Sequence, residues 1–163
     1  MNKYVQSGYV RAVDDHYPTV DPRCAKALFE NWDVPLPALD PFCSHLETGL
    51  HPASIGHLDS ADQFKAIVTN PPYDRSVVDG LVWDCLAKLT ANVDLVAILM
   101  RVQWDCAKRR RAMFEPPFAC SMRLLFRPYW NDRRKASPIH SYQWLIWDTR
   151  WHGSAVVKHV SAS

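Results

Sequence analysis

Residues 66–76 read AIVTNPPYDRS, and the fold turns on them. Ala66 to Thr69 is a short apolar run rich in β-branched residues, and Asn70-Pro71-Pro72-Tyr73 ends it. Neither proline has an N–H to give a ladder, so a strand must stop there. The run that follows, SVVDGLVWDCLAKLT, carries Val77, Leu81, Val82, Cys85, Leu86 and Leu89 on one stripe and reads as a helix. Next comes VDLVAILMRV, a continuous apolar run of the kind found in strands covered on both faces. Strand, helix and strand with buried runs predict an α/β fold built on a parallel sheet.

Working outward, DPRCAKALFENW predicts a helix capped by Asp21, with Pro22 in its first turn and Ala25, Leu28, Phe29 and Trp32 inward. PALDPFCS is a short apolar run stopped by Asp-Pro. CSMRLLFRPYW and SYQWLIWDTRW alternate and carry aromatics, so both read as strands, the second late and antiparallel. Residues 1–163 suffice for one domain with one core. An apolar share of 48% argues against disorder. No apolar run approaches the roughly 18 residues of a membrane span. The N-terminal segment lacks the apolar centre of a signal peptide, so the expected location is cytoplasmic.

The cysteines (Cys24, Cys43, Cys85, Cys106 and Cys120) show no C-x-x-C spacing, which argues against disulfide or zinc frameworks. His45, His51 and His57 recur without cysteine or carboxylate help, a poor pattern for a metal site, and none is expected. Charge is uneven. Up to Met100 acids outnumber Lys and Arg by 13 to 7, whereas from Arg101 onward the balance is 12 basic to 4 acidic. Lys108, Arg109, Arg110 and Arg111 form the densest basic stretch, a candidate phosphate contact or a solvated helix face.

In open parallel sheets, ligands bind beyond the carboxyl ends of the strands. A turn stiffened by Pro71 and Pro72 would hold its carbonyls in a set direction there. Asn70 adds a side-chain acceptor, and two convergent acceptors suit an exocyclic amino group with two hydrogens. Tyr73 supplies a flat face for a planar ring. These are the parts needed to hold an amine-bearing base taken out of its stack.

Asn70-Pro71-Pro72-Tyr73 after a β-rich run resembles motif IV of the amino-methyltransferases, the family that includes adenine-N6 DNA methyltransferases of phage and prophage type. The resemblance implies a Rossmann-like sheet, S-adenosylmethionine as cofactor and DNA as substrate. It implies catalytic roles for Asn70, Pro71, Pro72 and Tyr73. Families with the same tetrapeptide also act on RNA bases or on protein glutamine, so the motif leaves the substrate open. DHYPTVDPRCAKALFENWDV is similar to the segment before the cofactor site of phage-type members, which implies cofactor contacts at Tyr17 and Thr19. LDPFCS resembles the start of motif I, which adds Asp40 and Phe42.

Two departures stand against that pattern. The glycine loop of motif I is missing, with Gly49 and Gly56 isolated. Residues 44–64 are also too few for two βα units, since one crossover takes roughly 10–12 residues. In the family, strands one and four lie side by side, so losing strands two and three would strip one flank and leave about five strands. Asp59 or Asp62 is then the candidate for the missing ribose-binding acid. The sequence therefore predicts weak or absent cofactor binding, or a site completed by a second copy in a homodimer. The competing expectation is a non-catalytic, methyltransferase-like protein that binds nucleic acid or serves assembly.

Overall fold

The computed structural model describes residues 21–41, 51–52, 55–74, 77–89, 92–130 and 139–162. Tyr17, Thr19, Phe42, Cys43 and His45 lie outside them. The chain is α/β, with α1 at Arg23–Asn31 and α2 at Val78–Leu86. Its strands are β1 (Ala38–Asp40), β2 (His51–Pro52), β3 (Ala66–Thr69), β4 (Leu95–Arg101), β5 (Phe118–Leu124), β6 (Tyr142–Asp148) and β7 (Val156–Val160). They form one sheet in the order β2-β1-β3-β4-β6-β5-β7. Among the described strands every neighbouring pair is parallel except the two that involve β6, so β6 runs against the other six.

The expected late antiparallel strand is therefore present, and β1 lies beside β3 with Leu39 opposite Ile67. The expected count of about five is too low. Among the described residues the sheet has seven strands, because a two-residue β2 flanks β1 and β7 extends the other edge. Between β1 and β3 the described residues form β2 and a 3-10 helix, Ile55–Gln63. No second βα unit appears among the described residues of that connection.

Local chemistry explains the elements. Pro22 already has helical dihedrals, and the Asp21 carboxylate accepts the Arg23 N–H at 3.1 Å, so the expected cap works. α1 buries Cys24, Ala25, Ala27 and Leu28. Its Cys24 carbonyl accepts the Trp144 indole N–H at 2.8 Å, which fixes α1 on one face of the sheet. The other face takes a 3-10 helix, Lys108–Phe114, whose Met113 carbonyl accepts the Trp147 indole N–H. Phe114 stacks on Trp147 at 6.0 Å. With both faces covered, β6 is buried at every position, Gln143 and Asp148 included. The strand therefore has no exposed face, although its sequence alternates. α2 buries Val78, Val82 and Cys85, while Val77 is 47% exposed and lies off the stripe expected for it.

Candidate nucleobase site at the carboxyl edge of the sheet

β1 has the short β2 on one side and the later strand β3 on the other, so the strand order reverses between β1 and β3. That seam is where open α/β sheets form a crevice. At its carboxyl end β1 places Asp40 and β3 places Thr69, followed by Asn70. Asp40 and Thr69 are both buried, and the Thr69 hydroxyl donates to the Asp40 carboxylate at 2.7 Å. A buried carboxylate needs such partners, and this one ties the two strand ends together.

The turn folds inward. Asn70 is 1% exposed and Tyr73 is 8% exposed, so Asn70 belongs to the core rather than to a free strand end. The Tyr73 hydroxyl donates toward the Asn70 side-chain oxygen and toward the Leu99 carbonyl, the latter at 3.0 Å. One phenolic proton serves both acceptors. Burial pushes the Tyr73 phenol well above its ordinary range, with Tyr142 and Cys24 adding to the shift, so it remains a donor at neutral pH.

Tyr73 does not present an open ring. Trp130 meets it edge-on at 6.5 Å and Tyr142 lies tilted at 5.9 Å. Arg101, the last residue of β4, sets its guanidinium carbon over the ring at 5.4 Å from the centroid. Pro71 is buried and Pro72 half-buried. The sequence-derived quartet thus converges at one strand end, but in a closed arrangement: both the acceptor and the ring are engaged by the chain's own groups.

The basic stretch lies after the carboxyl end of β4, and Asp79 in the first turn of α2 joins it to the neighbourhood of the turn. Arg109 donates to one Asp79 oxygen at 2.9 Å and Arg110 to the other at 2.8 Å. Burial opposes ionisation of Asp79, but its hydrogen bonds to Arg109 and Arg110 outweigh it and hold the carboxyl below its usual range. Arg110 is buried, donates to the Trp104 carbonyl and lies 4.3 Å from the Trp104 ring centroid. It is a structural residue and not the exposed phosphate contact expected. Lys108 and Arg111 are exposed and line an open depression of about 570 Å³, together with Asp105, Cys106, Glu115 and Ser121. Two acids among those residues temper its positive charge.

Asp59 falls elsewhere. α2 leaves the carboxyl end of β3 and runs back toward the start of β4, so the segment after it lies at the amino edge. There Lys88 pairs with Asp59 at 3.5 Å, and the Asp59 side chain is 96% exposed. An acid on that edge cannot serve a ribose at the opposite one. The described residues of β2, His51 and Pro52, include no acid, and among the described residues no three His, Cys, Asp or Glu come together as a metal site. The residues missed in the sequence are Thr69, Asp79, Leu99, Arg101, Trp130 and Tyr142. Arg101 alone carried a usable signal, since it ends a buried strand.

No family model, curated protein or solved structure matches this chain. Among the described residues, no helix is long and apolar enough to cross a membrane.

Proposed function

We propose that the chain is a reduced Rossmann-like, S-adenosylmethionine-dependent N6-adenine methyltransferase domain that takes an adenine of DNA at the turn from Asn70 to Tyr73. The observation that carries the proposal is the position of that turn, at the carboxyl end of β3 and on the seam with β1. The β1–β3 neighbourhood and the single reversed strand support the same reading. Asn70 and the Pro71 carbonyl would accept the two hydrogens of the exocyclic amine. Tyr73 would give the base a ring to stack on once it releases Asn70. Holding an extruded base in one orientation is the main contribution such a site makes. Lys108 and Arg111 would meet phosphates.

The described residues fit the base better than the cofactor. S-adenosylmethionine would supply the methyl group. Asp40, however, is buried against Thr69, β2 has two residues, and Asp59 is on the far edge. A second reading, nucleic-acid binding without turnover in a protein of phage or prophage type, is favoured by that reduced flank.

Transfer of tritiated methyl groups to DNA and to RNA tests the first reading. Wild type should label DNA and Asn70→Ala should not. Equal labelling by both proteins would sink the enzyme assignment. Calorimetry with S-adenosylmethionine, repeated across protein concentrations, tests the cofactor side. Affinity that rises with protein concentration would indicate a site completed in a homodimer. No heat at any concentration, with salt-dependent DNA binding retained, would favour the second reading.

A further inference from the structure

The seat that a base would need on Tyr73 is occupied by Arg101. Its guanidinium carbon lies 5.4 Å from the ring centroid, within the range of a cation–π contact. Trp130 and Tyr142 take the ring's other surroundings with edge-on and tilted contacts. The Arg101 Nε is buried and has no hydrogen-bond partner. Most buried donors are paired, so an arginine that sits over a ring and leaves a buried donor unpaired calls for an explanation. A guanidinium is planar, delocalised and weakly hydrated, which lets it lie where a heteroaromatic ring would lie. It is also a good partner for phosphate.

We infer that Arg101 is a specificity-determining residue of this site, holding the stacking seat on Tyr73 in the free protein and turning its unpaired Nε to the phosphate of an adenine nucleotide that displaces it. The inference rests on the base-binding reading above. It explains why the ring and the orphan donor occur together. The nucleotide would replace the stack on Tyr73 and supply the acceptor that Nε lacks. A nucleoside without phosphate would displace the stack and leave the donor unpaired. The site should therefore prefer nucleotides to nucleosides, and Arg101 should set that preference.

Deoxyadenosine and deoxyadenosine monophosphate can be titrated against the full chain by ligand-observed NMR. Wild type should bind the monophosphate about tenfold or more tightly than the nucleoside, as a charge-assisted hydrogen bond allows. Arg101→Met should bind deoxyadenosine about 2- to 30-fold more tightly than wild type, because no cation–π contact has to be broken. It should also lose the preference for the monophosphate. Arg101→Lys keeps a cation that can pair with phosphate, so it should retain the preference. It also guards against a fold defect in the methionine variant. Wild-type affinities unchanged in both variants, or weaker binding of both ligands with the preference intact, would overturn the inference and leave the base-binding reading standing. No binding of either ligand to any of the three proteins would overturn both.

Discussion

The sheet has a broad half and a narrow flank, and the candidate site lies where they meet. β4, β5 and β6 have seven residues each and pair along most of their length. β1, β2 and β3 have three, two and four. The broad half carries Trp144, Trp147, Leu145, Ile146, Met100 and Met122 among the largest fully buried side chains. The flank has Leu39 and Ile67. Burial of apolar area is the main favourable term in folding, so stability should be concentrated in β4, β5 and β6. Among the described residues of the flank, the buried Asp40–Thr69 pair ties the ends of β1 and β3 together.

The largest expected effect tests that concentration. Trp144→Ala removes a fully buried indole and its hydrogen bond to α1, and should cost about 3–5 kcal/mol by chemical denaturation. Leu39→Ala in β1 should cost about 2 kcal/mol, the low end for a buried leucine, because a short flank can relax around the gap. Equal losses would show that the flank is as integral to the core as β6. Native-state hydrogen exchange should agree, with β4 and β6 amides the slowest and those of β1 among the fastest.

The seam itself should respond less. Thr69→Val keeps the shape and removes the donor to a buried carboxylate, which should cost about 1–3 kcal/mol. A loss below that range would mean that other contacts of Asp40 carry the seam.

The legibility of the sequence follows the same division. β3, α2 and β4 were readable because buried runs and helical spacing are local signals. β5 and β6 were readable as strands, yet the full burial of β6 was not, because coverage by α1 and by the 3-10 helix is a long-range fact. β7 was missed since AVVKHV is short and Val157 is 56% exposed, so its pairing with β5 leaves little pattern in the segment itself. The tetrapeptide marked the site, but its closed state depends on Leu99 and Arg101, which lie 26 and 28 residues beyond Tyr73 in the chain. Arg110 looked like its neighbours, and only the fold reveals that it is buried against Trp104 and Asp79.

Those neighbours define a smaller contrast. Replacing Lys108 and Arg111 together with Ala should flatten the dependence of log DNA affinity on log salt by up to about 2 units, one per lost phosphate contact. Replacing Arg110 should instead lower stability, since it strands the Trp104 carbonyl and half of the Asp79 carboxylate. An unchanged salt slope in the double variant would leave the exposed cations as a solvated helix face.

The smallest effect is expected at Arg109. Its side chain is 64% exposed, so its pair with Asp79 should be worth less than about 1 kcal/mol in thermal or urea unfolding. The pH dependence identifies the source of that contribution. Burial raises the Asp79 pKa, but the hydrogen bonds to Arg109 and Arg110 outweigh it and leave the net value below the ordinary 3.8. A carboxyl depressed in the folded state contributes stability that is present above its unfolded value and is lost as pH falls through its folded one. Arg109→Ala should therefore lie slightly below wild type in stability at neutral pH, and the two curves should converge as pH drops below 3.8. A gap that persists unchanged into that acid range would mean the arginine acts through packing of its stem and not through its charge. High salt should close the neutral-pH gap as well, because an exposed pair is screened.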